Sequence, residues 1–221
     1  MDFLKILRSI EELLYEAVSW LYFYPRTLFL TVLQPLKTMH YSDQEQRDRE
    51  ERRYLDTLSP PLFLVLSILI AHGLELATGL GVEAMRSNVG RMIAEDDQRL
   101  LMFRALMFSV HPLAFAWVWL HLQKRRADRD SLRSPFFAQC YLSGTTSILV
   151  SLGTLGVRDP RLSTTLAGVV IVAAATLWYL VVQLRWLRQV EGVGPWRATA
   201  WAVGTFLGST GLVLLSSAVL D

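Results

Sequence analysis

Five stretches of the chain are predominantly apolar over the length that a membrane crossing requires. A helix rises 1.5 Å per residue, so about 30 Å of hydrocarbon takes roughly 20 apolar residues. The runs extend from about Pro61 to Leu80, Leu100 to Leu122, Phe136 to Val157, Ser163 to Leu184 and Trp196 to Val219. None alternates with the period of two that barrel strands need, and lipid tolerates only helices or closed barrels, so the pattern predicts helices. The fold class is an all-α, polytopic membrane bundle of about five transmembrane helices plus an N-terminal amphipathic helix. The third and fourth runs are joined only by Arg158, Asp159, Pro160 and Arg161, which makes them antiparallel neighbours.

Ahead of the first run the pattern changes. Phe3, Leu4, Ile6, Leu7, Ile10, Leu13, Leu14, Ala17, Val18 and Leu21 recur at helical spacing opposite Lys5, Arg8, Glu11, Glu12 and Glu16, the signature of an amphipathic helix. The acidic residues and the lack of a small-residue cleavage site argue against a signal peptide. Such a helix can lie in the membrane interface with Trp20, Tyr22 and Tyr24 near the headgroups, or pack on the bundle or on a second copy. Pro25 is expected to end it, leaving a short apolar turn from Leu28 to Leu33. From Ser42 to Arg53 the chain is nearly all charged and reads as a solvated helical linker, with Glu45 and Arg49, and Asp48 and Arg52, four apart. The expected division is a cytoplasmic arm over 1–40, a charged linker over 41–59 and a membrane domain over 60–221.

Composition supports the membrane reading: 52% of the 221 residues are hydrophobic and mean hydropathy is +0.32. A net charge of +2 gives no clustered basic face for nucleic acid. Arginine far outnumbers lysine, a bias that suits a GC-rich bacterial genome and a bacterial inner membrane. Counting Lys and Arg loop by loop puts sixteen on the side of the N-terminus and five on the other, which predicts a cytoplasmic N-terminus and a periplasmic C-terminus. The lone Cys140 lies inside an apolar run and is expected to be a buried, inert thiol.

Ionisable groups inside spans are costly, which makes them the best pointers to function. His72 and Glu75 lie three apart in the first span, and Arg104 and His111 seven apart in the second, each pair on one helical face. In an antiparallel hairpin Glu75 and Arg104 fall at similar depth, with His72 and His111 deeper. The expectation is a Glu75–Arg104 pair above a two-histidine site; the plainer alternative is mutual neutralisation of charge and structural hydrogen bonds. Pro112 beside His111 is expected to loosen the second span, or to accommodate packing. Gly204 and Gly208, extended by Ala200, and the stripe Ser143, Ser147 and Ser151 are expected to mark close helix contacts.

Gly79, Gly81 and Ala84 match a dinucleotide fingerprint in spacing only, since a membrane run stands where a strand is required. There is no P-loop, no nucleophile elbow and no zinc spacing. No cofactor, metal or enzymatic activity is expected. A lipid-acting intramembrane enzyme would have only Ser109 and Cys140 as nucleophiles.

Tyr24-Pro25-Arg26-Thr27-Leu28 in the arm, and Tyr54-Leu55 followed by Leu58-Ser59-Pro60-Pro61-Leu62-Phe63 at the mouth of the first span, resemble the Pro-led entry of Yip1-like membrane proteins and of bacterial permease-like five-span families. The resemblance covers about a quarter of the chain and carries no site residue. It implies a transport-associated or membrane-organising role rather than an enzyme. The leading expectation is a permease-like or transport-associated protein embedded in the lipid bilayer, as a homo-oligomer or as a subunit of a membrane complex. The alternative is a scaffold that recruits partners through its arm.

Overall fold

The computed structural model describes residues 3–48, 53–79 and 96–220. The described residues form seven helices and no strand: α1 Phe3–Leu33, α2 Pro35–Glu45, α3 Pro60–Thr78, α4 Asp97–Leu122, α5 Arg129–Arg158, α6 Leu162–Leu187 and α7 Pro195–Leu220. The last five are long and apolar enough to cross a membrane, the makeup of a multi-pass membrane protein.

Local chemistry sets their ends. Pro60 and Pro61 open α3 and Pro195 opens α7, positions where the missing N–H has no intrahelical partner to lose. Gly79 closes α3 at φ +67°, a left-handed conformation that favours glycine. Asp96 caps α4 by accepting from the Gln98 N–H at 2.8 Å. Asp128 and Ser131 form a reciprocal capping box at the start of α5, which satisfies two otherwise unpaired backbone donors. The hydrogen bonds from Ser131 hold the exposed Asp128 carboxyl below its usual range.

Helix α5 is the axis of the bundle, flanked by α1, α2, α3, α4 and α6. Its seam with α6 is the tightest. A Cβ at Gly168 would run into the carbonyl oxygen of Gly153, so the two backbones approach as closely as glycine permits. Deeper along the same seam Gln139 and Gln183, both fully buried, exchange two amide hydrogen bonds of 2.9 and 2.6 Å. The main apolar core gathers Phe115, Leu142, Tyr179, Trp186 and Leu187 around Met39 of α2, and Trp119 stacks on Trp186 at 4.1 Å. Cys140 is buried against Leu64 and Ile68.

Three expectations change. Pro25 does not end the first helix: α1 continues through it to Leu33. Proline removes one backbone donor and crowds the preceding turn, at a cost of about 3 kcal/mol in a helix interior. The freed carbonyl belongs to Leu21, which is exposed, while the segment beyond Pro25 is pinned to the bundle. Thr27 Oγ1 accepts from the Leu58 N–H at 3.1 Å, and the Tyr24 hydroxyl donates to Ser67 Oγ at 3.1 Å. Tertiary anchoring thus outweighs the proline.

The charged linker is not wholly solvated. Ser42 is fully buried, Asp43 accepts a 2.7 Å hydrogen bond from Ser134, and the Glu45 carboxylate accepts from the Tyr54 N–H. Burial raises the Asp43 carboxyl above its usual range and pushes the Tyr41 hydroxyl up to about 12. The anticipated partners Arg49 and Arg52 lie outside the described residues. So do Gly81 and Ala84 of the rejected fingerprint, and Arg86 and Arg91 between α3 and α4.

Gly204 and Gly208 do not mark a helix contact, because a Cβ at either position would meet nothing within 4 Å. Close packing falls instead on Gly153, Gly156 and Gly168. Pro112, like Pro25, lies within a continuous helix.

Candidate functional site

The sequence-derived residues divide into two sites. His72 and Glu75 project from the last turns of α3, and Arg104 reaches them from α4, seven residues from its start. Arg104 places one guanidinium nitrogen 2.7 Å from Glu75 Oε2 and another 3.2 Å from His72 Nδ1. Both α3 side chains are buried, and the Arg104 side chain is 15% exposed. Guanidinium has donors only, so His72 Nδ1 accepts and the ring proton sits on Nε2. The planar fork of arginine bridges two acceptors one helical turn apart, which a lysine ammonium does less well.

His111 does not join this cluster. It stands two turns further along α4, which packs against α7 as well as α3, and its partners come from α7. His111 Nε2 lies 3.2 Å from Thr210 Oγ1, and its ring packs against Phe206. The expected two-histidine site is therefore two separate sites.

Around His111 is a cavity of about 210 Å³ lined by helices α4 to α7. Its polar wall is Ser143, Thr146 and Ser147 of α5, Thr176 and Tyr179 of α6, and Thr210 of α7. The apolar wall includes Phe108, Val150 and Val172. Thr146 and Ser147 satisfy their hydroxyls on carbonyls of their own helix. Ser143 Oγ and Tyr179 Oη are buried without a well-formed hydrogen bond among the described residues. Leaving a buried hydroxyl unmade costs about 1–3 kcal/mol. A liquid water occupies about 30 Å³, so the space admits several waters or one small polar molecule. The site can donate and accept hydrogen bonds through its hydroxyls and can exchange a proton at His111.

Of the possible nucleophiles, Ser109 donates to the Ala105 carbonyl at 2.7 Å and Cys140 is sealed in the core. Neither lines the His111 cavity. Among the described residues no three or more metal-ligating side chains cluster.

Thr176, Tyr179, Thr210 and the Gln139–Gln183 pair were not singled out from the sequence. A search restricted to charged and titratable residues passes over uncharged amides and hydroxyls. Gln139 and Gln183, each alone in an apolar run, were the available signal.

Comparison with protein-family models, with curated proteins and with solved structures yields no match. The class rests on the fold itself: the described residues are helical, five helices are able to cross a membrane, and a half-open, mostly apolar pocket lined by four of them carries His111 and several hydroxyls.

Proposed function

We propose that this is a transport-associated protein of the bacterial inner membrane in which the His111 cavity binds a small polar solute or relays a proton. The observation that supports the reading is the cavity itself. Two buried hydroxyls, Ser143 and Tyr179, that interact only loosely with each other and with Gln183, beside a titratable ring among membrane-crossing helices, cost stability, and such groups are retained where they meet something polar. The Glu75–Arg104–His72 cluster ties α3 to α4 beside it. The resemblance to Yip1-like and permease-like families implies the same kind of role.

The N-terminus is cytoplasmic on this reading, from the sixteen-to-five bias of basic residues. Because Cys140 is the one cysteine and is buried, an added thiol reports alone. Ser9→Cys should react with a membrane-impermeant reagent only after the cells are opened, and Arg161→Cys in intact spheroplasts.

The functional test is flux in proteoliposomes across a panel of ions and small polar solutes, with and without a proton gradient. Wild-type protein should show proton-dependent flux that His111→Ala abolishes and Glu75→Gln reduces. An intact wild type with no flux across the panel would overturn the proposal. It would favour the second reading, a scaffold acting through the first half of α1, where Ile10, Leu14, Val18 and Leu21 are all exposed.

A further inference from the structure

Between α4 and α7 runs an apolar groove of about 860 Å³ walled by Leu113, Trp117, Trp201, Gly204 and Gly208. Its α5 edge is Leu132. Leu113 and Leu132 also line an adjoining recess of about 820 Å³, whose other walls include Arg129 and Arg133. The two spaces form one surface, apolar along α7 and cationic at the start of α5. Arg129 and Arg133 are both exposed and stand one helical turn apart. The Arg133 guanidinium rests 5.5 Å over the Phe137 ring, which holds it toward the recess. Asp130 lies in the same recess and offsets one charge, while the connection after α4 carries Lys124, Arg125 and Arg126 against Asp128 and adds a net two.

We propose that this surface seats an anionic phospholipid of the leaflet that borders the α4–α5 loop, with its phosphate on Arg129 and Arg133 and one acyl chain along Gly204 and Gly208. Length and charge favour this occupant. The groove follows α7 from Ala200 to Leu212, about 18 Å by helical rise. One leaflet contributes about 15 Å of the hydrocarbon core, so the groove accommodates a single chain. Basic residues placed at one mouth of such a groove match a lipid phosphate; the helix of a second copy would need small residues matched along the seam and gives the arginines no partner. The glycines leave the trough open, and a Cβ added at either meets no other atom within 4 Å.

The test is native mass spectrometry of full-length protein released from nanodiscs made of equal parts phosphatidylglycerol and phosphatidylcholine. Wild-type protein should retain phosphatidylglycerol preferentially. Losing the arginines should reduce that preference about fivefold for each, on the order of thirtyfold for Arg129→Gln/Arg133→Gln together. Gly204→Leu/Gly208→Leu fills the trough and should lower retention of both lipids. The arginines are exposed, so their variant keeps the proposal testable even if the glycine variant does not fold. Equal retention of the two lipids by wild type, or an unchanged preference in the arginine variant, overturns the proposal. A lipid-free dimer that Gly204→Leu/Gly208→Leu splits overturns it as well, by placing a second copy in the groove.

Discussion

Along the seam of α5 with α6 the backbones touch at Gly153 and Gly168, whereas the small residues of α7 opposite α4 face open space. Both pairs carry small residues at helical spacing, yet only one uses them to pack. The polar groups divide less cleanly, since the two loosely paired hydroxyls, Ser143 and Tyr179, belong to α5 and α6 themselves. In the α5–α6 seam Gln139 and Gln183 satisfy each other. Around the His111 cavity, which α4 and α7 share with them, two hydroxyls lack a well-formed partner. The closed seam is structural, and the open side has room for molecules other than protein.

The largest effect should come from closing what is already closed. Gly168→Leu forces a side chain into the Gly153 carbonyl and should cost more than about 4 kcal/mol, read as loss of the monodisperse, helical protein in detergent. Gly208→Leu should stay within about 0.5 kcal/mol of wild type. Equal damage from the two would erase the contrast between the seams.

Removing Arg104 should come next. Arg104→Leu leaves the Glu75 carboxylate buried without its cation, a loss of about 3–5 kcal/mol. Arg104→Leu/Glu75→Gln should recover most of it, as measured by thermal unfolding in detergent. Failure of the double variant to recover would show that the pair matters for more than charge balance.

The five spans were legible in the sequence because a predominantly apolar run of about 20 residues has few other uses. The Glu75–Arg104 pair was legible for a related reason, since two opposite charges at similar depth in a hairpin have no better partner. What escaped depended on neighbours. Helix α1 survives Pro25 because Thr27 and Tyr24 are anchored to residues more than 30 positions away. His111 turns to Thr210, 99 positions on, because α4 packs against α7 as well as against its neighbour in sequence, α3. Gly204 and Gly208 show the limit most directly: spacing shows that a helix can be approached, not that anything approaches it.

A smaller effect tests the polar side of the seam. Gln139→Leu strands the Gln183 amide and should cost about 1–2 kcal/mol, whereas Gln139→Leu/Gln183→Leu should return close to wild type because both partners are removed together. A double variant as unstable as the single would mean that the amides also serve the neighbouring hydroxyls.

Asp43 should give the smallest effect and one dependent on pH. Its folded carboxyl is raised above the usual 3.8 by burial, so the folded state takes up a proton more readily than the unfolded one. Stability is therefore lost as pH rises from the unfolded to the folded value, and the penalty is fully present above both. Asp43→Asn should raise the unfolding temperature slightly at neutral pH, with the gain vanishing as pH falls below the usual carboxylate range. A loss at neutral pH would mean that the ionised Asp43–Ser134 bond outweighs burial.

The most direct test of the central claim, that the His111 cavity is a polar site reached from water within the membrane domain, is thiol accessibility on the bundle wall. Ser143→Cys and Thr210→Cys are compared with wild type, whose Cys140 is sealed, using a small charged methanethiosulfonate reagent in liposomes. The account predicts that both introduced thiols react while Cys140 does not, and that a bulky reagent reacts far more slowly. Labelling of neither, in protein shown to be folded, would contradict it and leave the cavity a sealed packing void.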